Sequence, residues 1–340
     1  MIYLDHCATT ALSENVKNDI LKNLDNYGNP SSLYSAGLLS KKIIKDSRRQ
    51  IAECINCRPE EIYFTSGASE ANSWALQQPF YCESYEHHSV LNNRNRTTDI
   101  NKCNQVSFMY VNNEIGFVND ISELRKLYKD FYIHTDATQA IGNINVDVQR
   151  LNIDTMSFSG HKFHAPKGVG CLYINSKSSL KLKPIIYGGK QESGIRGGTE
   201  NILGISAMGI AIQDAYNNLN NKDFHCKKLR THLINRLKQA KINFIINETS
   251  NSISSILNIS IKDIENDAIS SWLDFKNIYI SSGSACNSGS LEPSEALKWF
   301  GVPKEYINGT LRISFDLSNT IKEIDVLCNE IINITQKISK

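Results

Sequence analysis

The chain has 340 residues, of which 41% are hydrophobic and 21% are charged. This composition provides enough apolar side chains for a buried core and differs from that of a disordered chain. Lys and Arg total 37 against 35 for Asp and Glu, so the formal net charge is +2. A balance of this kind argues against direct binding of nucleic acid or of an anionic membrane surface, because both need a basic excess.

The cysteine content and the N-terminal sequence both bear on location. The 9 cysteines are scattered from Cys7 to Cys328, and an odd number spread in this way is typical of reduced thiols in a cytosolic protein. The first five residues include no basic segment and no long apolar run, so no signal peptide is expected. Since no stretch is long enough to cross a bilayer, we predict a cytoplasmic protein without membrane contact.

The first 200 residues alternate between amphipathic stretches and short apolar runs. Helical patterns cover residues 13–24, 38–56 and 121–129. Strand-like runs are found at four places, namely residues 61–65, 131–135, 155–158 and 169–174. This alternation predicts an α/β fold with a mostly parallel sheet. In such sheets ligands bind beyond the carboxyl ends of the strands, and polar residues follow those ends here.

The pattern changes after Ala207, where the helical stretches become longer. The remaining predicted elements are helices at 210–219 and 225–240, a strand at 253–261, a small-residue loop at 281–290 and a final helix at 321–340. We therefore predict two domains. The larger spans residues 13–220, and the smaller combines residues 1–12 with 221–340.

Two motifs place polar side chains directly after predicted strands. Residues 64–72 form a glycine turn and then open a helix with small hydroxyl residues, which suits a phosphate. From this motif alone, a helix cap by Ser66 or Ser69 is favoured over anion binding. Asp136 ends an apolar strand, where a partly desolvated carboxylate favours a cationic partner such as a protonated ring nitrogen, but a helix N-cap explains it equally well.

A third motif, residues 157–168, contains Lys162 among small and aromatic residues. A poorly solvated lysine has a lowered pKa and can form a Schiff base, and this environment argues against an ordinary surface lysine. His161 and His164 lie nearby, but no carboxylate or cysteine cluster completes a set of metal ligands, so no metal site is expected.

Two glycine- and serine-rich segments come later in the chain. Residues 187–201 are rich in glycine but lack the strand–helix frame of a dinucleotide fingerprint; Thr199 could add a hydroxyl to a phosphate site. Cys286 lies among Ser, Gly, Ala and Asn, whereas a structural cysteine usually has apolar neighbours, so it is a candidate reactive thiol. Cys54 and Cys57 have CxxC spacing, but no second pair supports zinc or redox chemistry.

Taken together in order, the motifs resemble those of the NifS/IscS-type cysteine desulfurases. They are YLDHCATT (3–10), GNPSS (28–32), TSGASE (65–70), EH (86–87), VNNEIG (111–116), DATQ (136–139), SFSGHK (157–162), RGGTEN (196–201), SSGSAC (281–286) and LRIS (311–314). These enzymes use pyridoxal 5'-phosphate and have the class V aminotransferase fold. The resemblance covers nearly the whole chain. It implies a PLP-transferase fold of the aspartate aminotransferase-like type (fold type I), with a smaller α+β domain carrying the Cys286 loop.

The resemblance also implies roles around the ring of pyridoxal 5'-phosphate. Lys162 matches the lysine that bonds covalently to the cofactor, and Asp136 matches the carboxylate paired with the ring nitrogen. His87 matches the imidazole stacked on the ring. Asn113 and Gln139 match groups that reach the phenolic oxygen.

Further positions match the groups that hold the phosphate. Within one chain these are Ala68, Ser69, Ser159 and His161. Thr199 matches a phosphate contact supplied by the partner subunit of a homodimer.

For the substrate, Asn29 and Arg312 match residues that hold the carboxylate of L-cysteine. The resemblance gives Lys162, His87 and Cys286 the catalytic roles, with Cys286 taking the sulfur as a persulfide while L-alanine is released. The loop around Cys286 resembles that of relatives that pass sulfur to an acceptor protein, such as an iron–sulfur scaffold or a tRNA-thiolation enzyme. Beyond a transient contact of Cys286 with iron–sulfur in such a complex, no metal is implied.

Three other functions are compatible with the same fold: a selenocysteine lyase, a desulfhydrase that releases sulfide, and a non-catalytic scaffold. The joint presence of Lys162, Asp136, His87 and Cys286 argues against the scaffold. The chain is also short between Asn72 and Asn113. From this shortening we expect a missing edge element or an altered local topology in the sheet.

Overall fold

The computed structural model of the protein describes residues 1–282 and 294–338. The chain divides into two compact units. The larger unit comprises Thr10–Tyr110 and Asn119–Asn218, and the smaller comprises Met1–Thr9, Val111–Val118 and Leu219–Lys340 as far as it is described. The boundaries predicted from the sequence kept residues 111–118 within the larger domain, whereas here they belong to the smaller unit.

Strands and helices are numbered in chain order. The strands are β1 (Ile2–Tyr3), β2 (Ile62–Thr65), β3 (Phe80–Cys82), β4 (Arg96–Thr97), β5 (Gln105–Ser107), β6 (Tyr132–Asp136), β7 (Thr155–Ser159), β8 (Gly170–Ile174), β9 (Phe244–Ile246), β10 (Ile256–Ile261), β11 (Ile278–Tyr279), β12 (Ser281–Ser282) and β13 (Thr310–Ser314). The helices are α1 (Glu14–Asn23), α2 (Ser35–Cys54), α3 (Ala68–Ala75), α4 (His88–Leu91), α5 (Ile121–Leu127), α6 (Val148–Leu151), α7 (Ile202–Asn217), α8 (Leu219–Gln239), α9 (Asn266–Phe275), α10 (Glu295–Trp299), α11 (Lys304–Ile307) and α12 (Ile321–Ile338).

The larger unit is built on a seven-stranded sheet in the order β2-β8-β7-β6-β5-β3-β4. The pairings β3–β4, β3–β5, β5–β6 and β6–β7 are parallel, and β8 pairs antiparallel with both β2 and β7. The mostly parallel sheet predicted from the sequence is therefore confirmed. The edge next to β3 is occupied by β4, so the shortened segment keeps an edge strand, although one of only two residues.

Helices cover the sheet of the larger unit and bury its strands. Every residue of β7 is buried, and α3 packs against β7 and β8. Trp74 of α3 and Phe80 of β3 are fully buried in the same cluster. Strands buried in this way have nearly continuous apolar sequences rather than alternating ones. Their carboxyl ends place Ser107, Asp136 and Ser159 along one edge of the sheet.

The smaller unit contains a four-stranded antiparallel sheet in the order β12-β13-β10-β9, and a separate parallel pair of β1 with β11. Helices α8, α9 and α12 contribute apolar stripes to its core, at positions such as Leu229, Leu233 and Leu237. This spacing of four residues places the side chains on one helix face. Within the described part of the chain, no helix has both the length and the apolar character needed to cross a membrane.

Candidate active site

Asp136 is the last residue of β6, and its side chain is 3% exposed. Its Oδ1 accepts a hydrogen bond from the backbone N–H of Thr138 at 2.9 Å, and its Oδ2 accepts one from Nδ2 of Asn72 at 2.8 Å. Both donors are neutral, so they orient the carboxylate without neutralising its charge. A buried anion held in this way suits a cation such as a protonated ring nitrogen.

A second buried carboxyl group, that of Glu86, lies close to Asp136. Oε1 of Glu86 accepts a hydrogen bond from the hydroxyl of Ser107 at 3.2 Å. Burial raises the pKa of Glu86 to about 8, and the negative charge of Asp136 adds to this increase. Glu86 is therefore mostly protonated near pH 7, which leaves Asp136 as the charged member of the pair.

His87 is the N-cap residue of α4, and its Nδ1 accepts a hydrogen bond from the backbone N–H of Ser89 at 3.1 Å. Because Nδ1 is an acceptor, the ring proton of the neutral imidazole lies on Nε2. Burial lowers the pKa of His87, Asp136 opposes this effect, and the positive charge of Lys162 adds to it. His87 is thus within electrostatic reach of both Asp136 and Lys162.

Lys162 lies in a short 3₁₀ turn, Gly160–Lys162, that directly follows β7. The backbone carbonyl of His161 accepts hydrogen bonds at 2.9 Å from both N–H and Oγ1 of Thr10, which fixes the position of the turn. Burial lowers the pKa of His161 to about 4, and the charges of Lys162 and Lys167 contribute. His161 is therefore neutral at pH 7.

The segment predicted to hold a phosphate begins α3. Its N-cap is Gly67, and no side chain caps the helix, so the cap by Ser66 or Ser69 considered from the sequence is not what the structure shows. A Cβ built on Gly67 would lie 3.5 Å from Oγ of Ser159, which places this hydroxyl beside the first turn of α3. Uncapped backbone N–H groups at a helix N-terminus, together with a hydroxyl, suit a phosphate.

A glycine on the neighbouring strand makes this arrangement possible. A Cβ on Gly170 of β8 would lie 2.5 Å from the Cα of Gly67, a distance that a side chain cannot adopt. The residues of the larger unit therefore fit pyridoxal 5'-phosphate: an uncapped helix with Ala68 and Ser69 for the phosphate, Asp136 for the ring nitrogen and Lys162 for the covalent bond.

Gln139 and Thr199, two other predicted site residues, also belong to the larger unit. Gln139 follows β6 and is 5% exposed. Thr199 is exposed and lines a cavity of about 170 Å³, together with Ser66. The nearby Arg196 donates to Glu70 of α3 at 3.0 Å, which ties the loop of residues 196–201 to that helix.

The predicted substrate-binding residues are divided between the units. Arg312 of β13, in the smaller unit, is 3% exposed and donates to Asp5 Oδ1 at 2.9 Å and to the carbonyl of Asn113 at 3.0 Å. The side chain of Asn113 is half-buried. Asn29 is an exposed residue of the larger unit, and its Oδ1 accepts from the N–H of Ser31 at 2.9 Å. Cys286 lies outside the described residues.

Comparison with known proteins identifies the family of the chain. The family model for aminotransferase class-V matches residues 2–96 and 84–327. The cysteine desulfurase IscS of Methanosarcina thermophila is 35% identical, covering 99% of this chain and 92% of the relative. The chain belongs to the class-V aminotransferase family.

Solved structures of similar proteins support the membership and the fold. A NifS-like protein superposes with a TM-score of 0.90 at 28% identity, covering 98% of this chain and 99% of the other. A structure of SspA in complex with cysteine superposes with a TM-score of 0.79, also at 28% identity, covering 94% and 100%. This class-V aminotransferase is thus an enzyme of the NifS/IscS type that depends on pyridoxal 5'-phosphate, as the motifs implied.

Several polar residues of this class-V aminotransferase site were not assigned from the sequence. They include Asn72, Ser89 and His134, which contact predicted site residues or one another, and Glu86, whose pKa is raised in part by the charge of Asp136. A signal existed for His134, because residues two apart on a strand face the same side and Asp136 is the next such residue on β6. Asn72 lies one helical turn beyond Ala68, on the same face of α3.

Proposed function

We propose that this protein is a cysteine desulfurase that converts L-cysteine to L-alanine and receives the sulfur as a persulfide on Cys286. The observation that supports this most directly is that His87 lies close enough to both Asp136 and Lys162 for their charges to shift its pKa. This combination suits a pyridine ring that needs an anion at its nitrogen and an amine at its reactive carbon. Relatives named cysteine desulfurase, and the neighbour bound to cysteine, support the choice of substrate.

In this proposal, pyridoxal 5'-phosphate supplies an electron sink for the bonds at the substrate's α-carbon. Asp136 keeps its negative charge next to the ring nitrogen, while protonated Glu86 adds no competing charge. The amine of Lys162 removes and returns the proton at the α-carbon. Neutral His87 presents the N–H of its Nε2, since Nδ1 is an acceptor.

Arg312 binds the carboxylate of L-cysteine. Its guanidinium is held by Asp5 and by the carbonyl of Asn113, so little side-chain freedom is lost on binding. The thiolate of Cys286 then attacks the sulfur of the substrate. A sulfur–sulfur bond forms, the carbon–sulfur bond of the substrate breaks, and its electron pair stays on the β-carbon, which takes up a proton to give alanine.

A cysteine pulse tests the proposal. The purified protein is incubated with L-cysteine, alanine is quantified, and protein-bound sulfur is located by mass spectrometry. Wild type should produce alanine and gain one sulfur on Cys286. Cys286→Ser should still bind pyridoxal 5'-phosphate but gain no sulfur, whereas Cys103→Ser, which removes a half-buried thiol of the larger unit, should behave like wild type. Extra sulfur on another cysteine such as Cys7, or undiminished labelling of Cys286→Ser, would contradict this assignment.

We further propose that the enzyme is a homodimer. Large apolar side chains are exposed along α1, α2 and the segment between them, including Leu21 (68%), Tyr27 (94%), Leu33 (88%) and Leu39 (52%). A cluster of this kind is typical of a protein interface. In the dimer, Thr199 of each subunit contributes to the phosphate site of the other. Light scattering should give twice the mass of one chain, and a monomer at micromolar concentration would contradict the proposal.

The persulfide is proposed to pass, in the cytoplasm, to an acceptor protein of iron–sulfur cluster assembly or tRNA thiolation. Incubation with [³⁵S]cysteine followed by a purified scaffold or thiolation enzyme should move label to the acceptor. The same transfer should be absent from Cys286→Ser. Label that stays on the desulfurase with every acceptor of both classes would argue against this part of the proposal.

A further inference from the structure

A buried hydrogen-bond network centred on Asn72 connects Asp136 and His87, the two groups that the proposed function places at the ring nitrogen and on the face of the cofactor ring. Asn72 is a residue of α3 and is fully buried. Its Nδ2 donates to Asp136 Oδ2 at 2.8 Å and to the hydroxyl oxygen of Ser89 at 2.8 Å. Both amide hydrogens of Asn72 are therefore used.

The other end of the amide is also held. Oδ1 of Asn72 lies 2.9 Å from Nε2 of His134 and accepts a hydrogen bond from the hydroxyl of Ser157. Burial lowers the pKa of His134 to about 4, so the imidazole is neutral. Because the amide oxygen of Asn72 can only accept, the ring proton of His134 lies on Nε2. Its Nδ1 lies 2.9 Å from the hydroxyl of Thr155 and accepts a hydrogen bond from it.

These contacts fix the orientation of the amide. The carboxylate of Asp136 can only accept, so the amide nitrogen must face it, and Oδ1 then faces His134 and Ser157. The opposite orientation would bring Oδ1 against the carboxylate of Asp136 and leave His134 without an acceptor. All four hydrogen-bonding positions of the amide are filled, and no other side chain of this size offers two donors and two acceptor positions.

Ser89 extends the network to His87. Because Asn72 donates to the oxygen of Ser89, the hydroxyl hydrogen of Ser89 is directed elsewhere, and Nδ1 of His87 lies 2.8 Å away. Nδ1 already accepts from the backbone N–H of Ser89. With two donors facing it, Nδ1 resists protonation, and the ring stays in the tautomer that carries its proton on Nε2.

We propose that Asn72, oriented by His134, is a positioning residue that holds the Asp136 carboxylate and, through Ser89, fixes the tautomer of His87. This inference rests on the proposed function for the roles of Asp136 and His87. It adds that one amide determines both the position of the Asp136 carboxylate and the tautomer of His87, so both change when that amide is replaced. A buried asparagine with a purely structural role would affect stability alone.

The test measures the His87 titration by NMR in histidine-labelled holoenzyme, and the dissociation constant of pyridoxal 5'-phosphate by dialysis. The charged and titratable groups that act on His87 are Asp136, Lys162 and His88, and none of them is altered. In Ser89→Ala the pKa of His87 should rise by about half a unit to one unit, because one donor to Nδ1 is lost. In Asn72→Leu the pKa of His87 should rise similarly. Without the amide of Asn72, the Ser89 hydroxyl is free to rotate and to accept a hydrogen bond from protonated Nδ1 of His87.

Cofactor affinity distinguishes the contact of Asn72 with Asp136 from its contact with Ser89. Asn72→Leu should weaken binding of pyridoxal 5'-phosphate about tenfold or more, because Asp136 loses a hydrogen bond to a charged group. Ser89→Ala should leave that affinity within about twofold. His134→Leu should weaken cofactor binding as Asn72→Leu does. His134→Gln should keep the affinity near that of wild type, since a glutamine amide can donate to Asn72 Oδ1.

Asn247→Leu is the matched control. It removes a buried amide of the smaller unit whose Nδ2 donates at 2.7 Å to both Asn258 and Ser260. It should lower the melting temperature without changing the His87 titration or cofactor affinity. An unchanged His87 pKa in Ser89→Ala, or equal effects of His134→Leu and His134→Gln, would overturn the proposal even if Asn72→Leu fails to fold. The His87 titration needs no substrate, so failure of the desulfurase assignment would be seen separately.

Discussion

Replacing Glu86 by Gln isolates the electrostatic contribution of one buried carboxyl group. The ordinary pKa of Glu, taken as 4.5, is raised to about 8 at this position, first by burial and then by the charge of Asp136. In the unfolded chain the group ionises near its ordinary value. Between these two values the folded protein binds a proton that the unfolded chain has released, so stability falls as pH rises.

The size of the effect follows from this difference in proton binding. One proton changes the free energy of unfolding by about 1.4 kcal/mol for each pH unit. The lowered pKa values of His134 and His161 give the opposite slope below about pH 6.5, so the window from about 6.5 to 8 is the clearest. Over that window the free energy of unfolding of wild type should fall by up to about 2 kcal/mol relative to that of Glu86→Gln.

Urea unfolding of both proteins at half-unit pH steps measures this difference. Glu60→Gln removes an exposed carboxyl group of the same unit and serves as the control, with a pH dependence like that of wild type. The difference between Glu86→Gln and wild type should grow steadily and level off above about pH 8. Parallel curves for the two proteins would mean that Glu86 is ionised in the folded state, and the argument that Asp136 alone holds the charge would fail.

Three further substitutions address the reaction itself. Lys162→Ala should abolish turnover, and unchanged alanine production would contradict its role as the proton carrier. Asp136→Asn should keep the fold, bind cofactor more weakly and lower kcat at least about a hundredfold; near-normal activity would mean that another group contacts the ring nitrogen. Arg312→Lys should raise KM for L-cysteine about tenfold or more with a smaller change in kcat, because an ammonium cannot replace a bidentate guanidinium. An unchanged KM would place the carboxylate elsewhere.

The sequence was most informative where a strand is long and a polar residue follows it. The runs at 155–158 and 169–174 differ by one residue from β7 and β8, and the lysine and aspartate of the site follow such runs. Strands β3, β4 and β5 have three residues or fewer, which is too short for a period of two to be detected. Helix α7 begins at Ile202 rather than 210, because its first turns are apolar on most sides and show little periodicity.

Tertiary contacts account for what the sequence could not show. Asn72 meets His134, Asp136 and Ser157 across separations of 62, 64 and 85 residues, so no local pattern relates them. Residues 111–118 belong to the smaller unit through contacts of the same kind, since Val118 N–H donates to the carbonyl of Asn251. Such pairings depend on the whole fold and not on neighbouring residues.

The interleaving of the two units has a consequence for synthesis of the chain. Everything in the larger unit has been translated once Asn218 is added, whereas the four-stranded sheet of the smaller unit begins only at Phe244. β1 is made first, yet its partner β11 comes at Ile278–Tyr279, and Asp5 bridges to Ser314. The larger unit can therefore form while the nascent N-terminus has no partner. A gene divided after residue 218 would encode every residue of the larger unit, but neither fragment would contain a whole smaller unit.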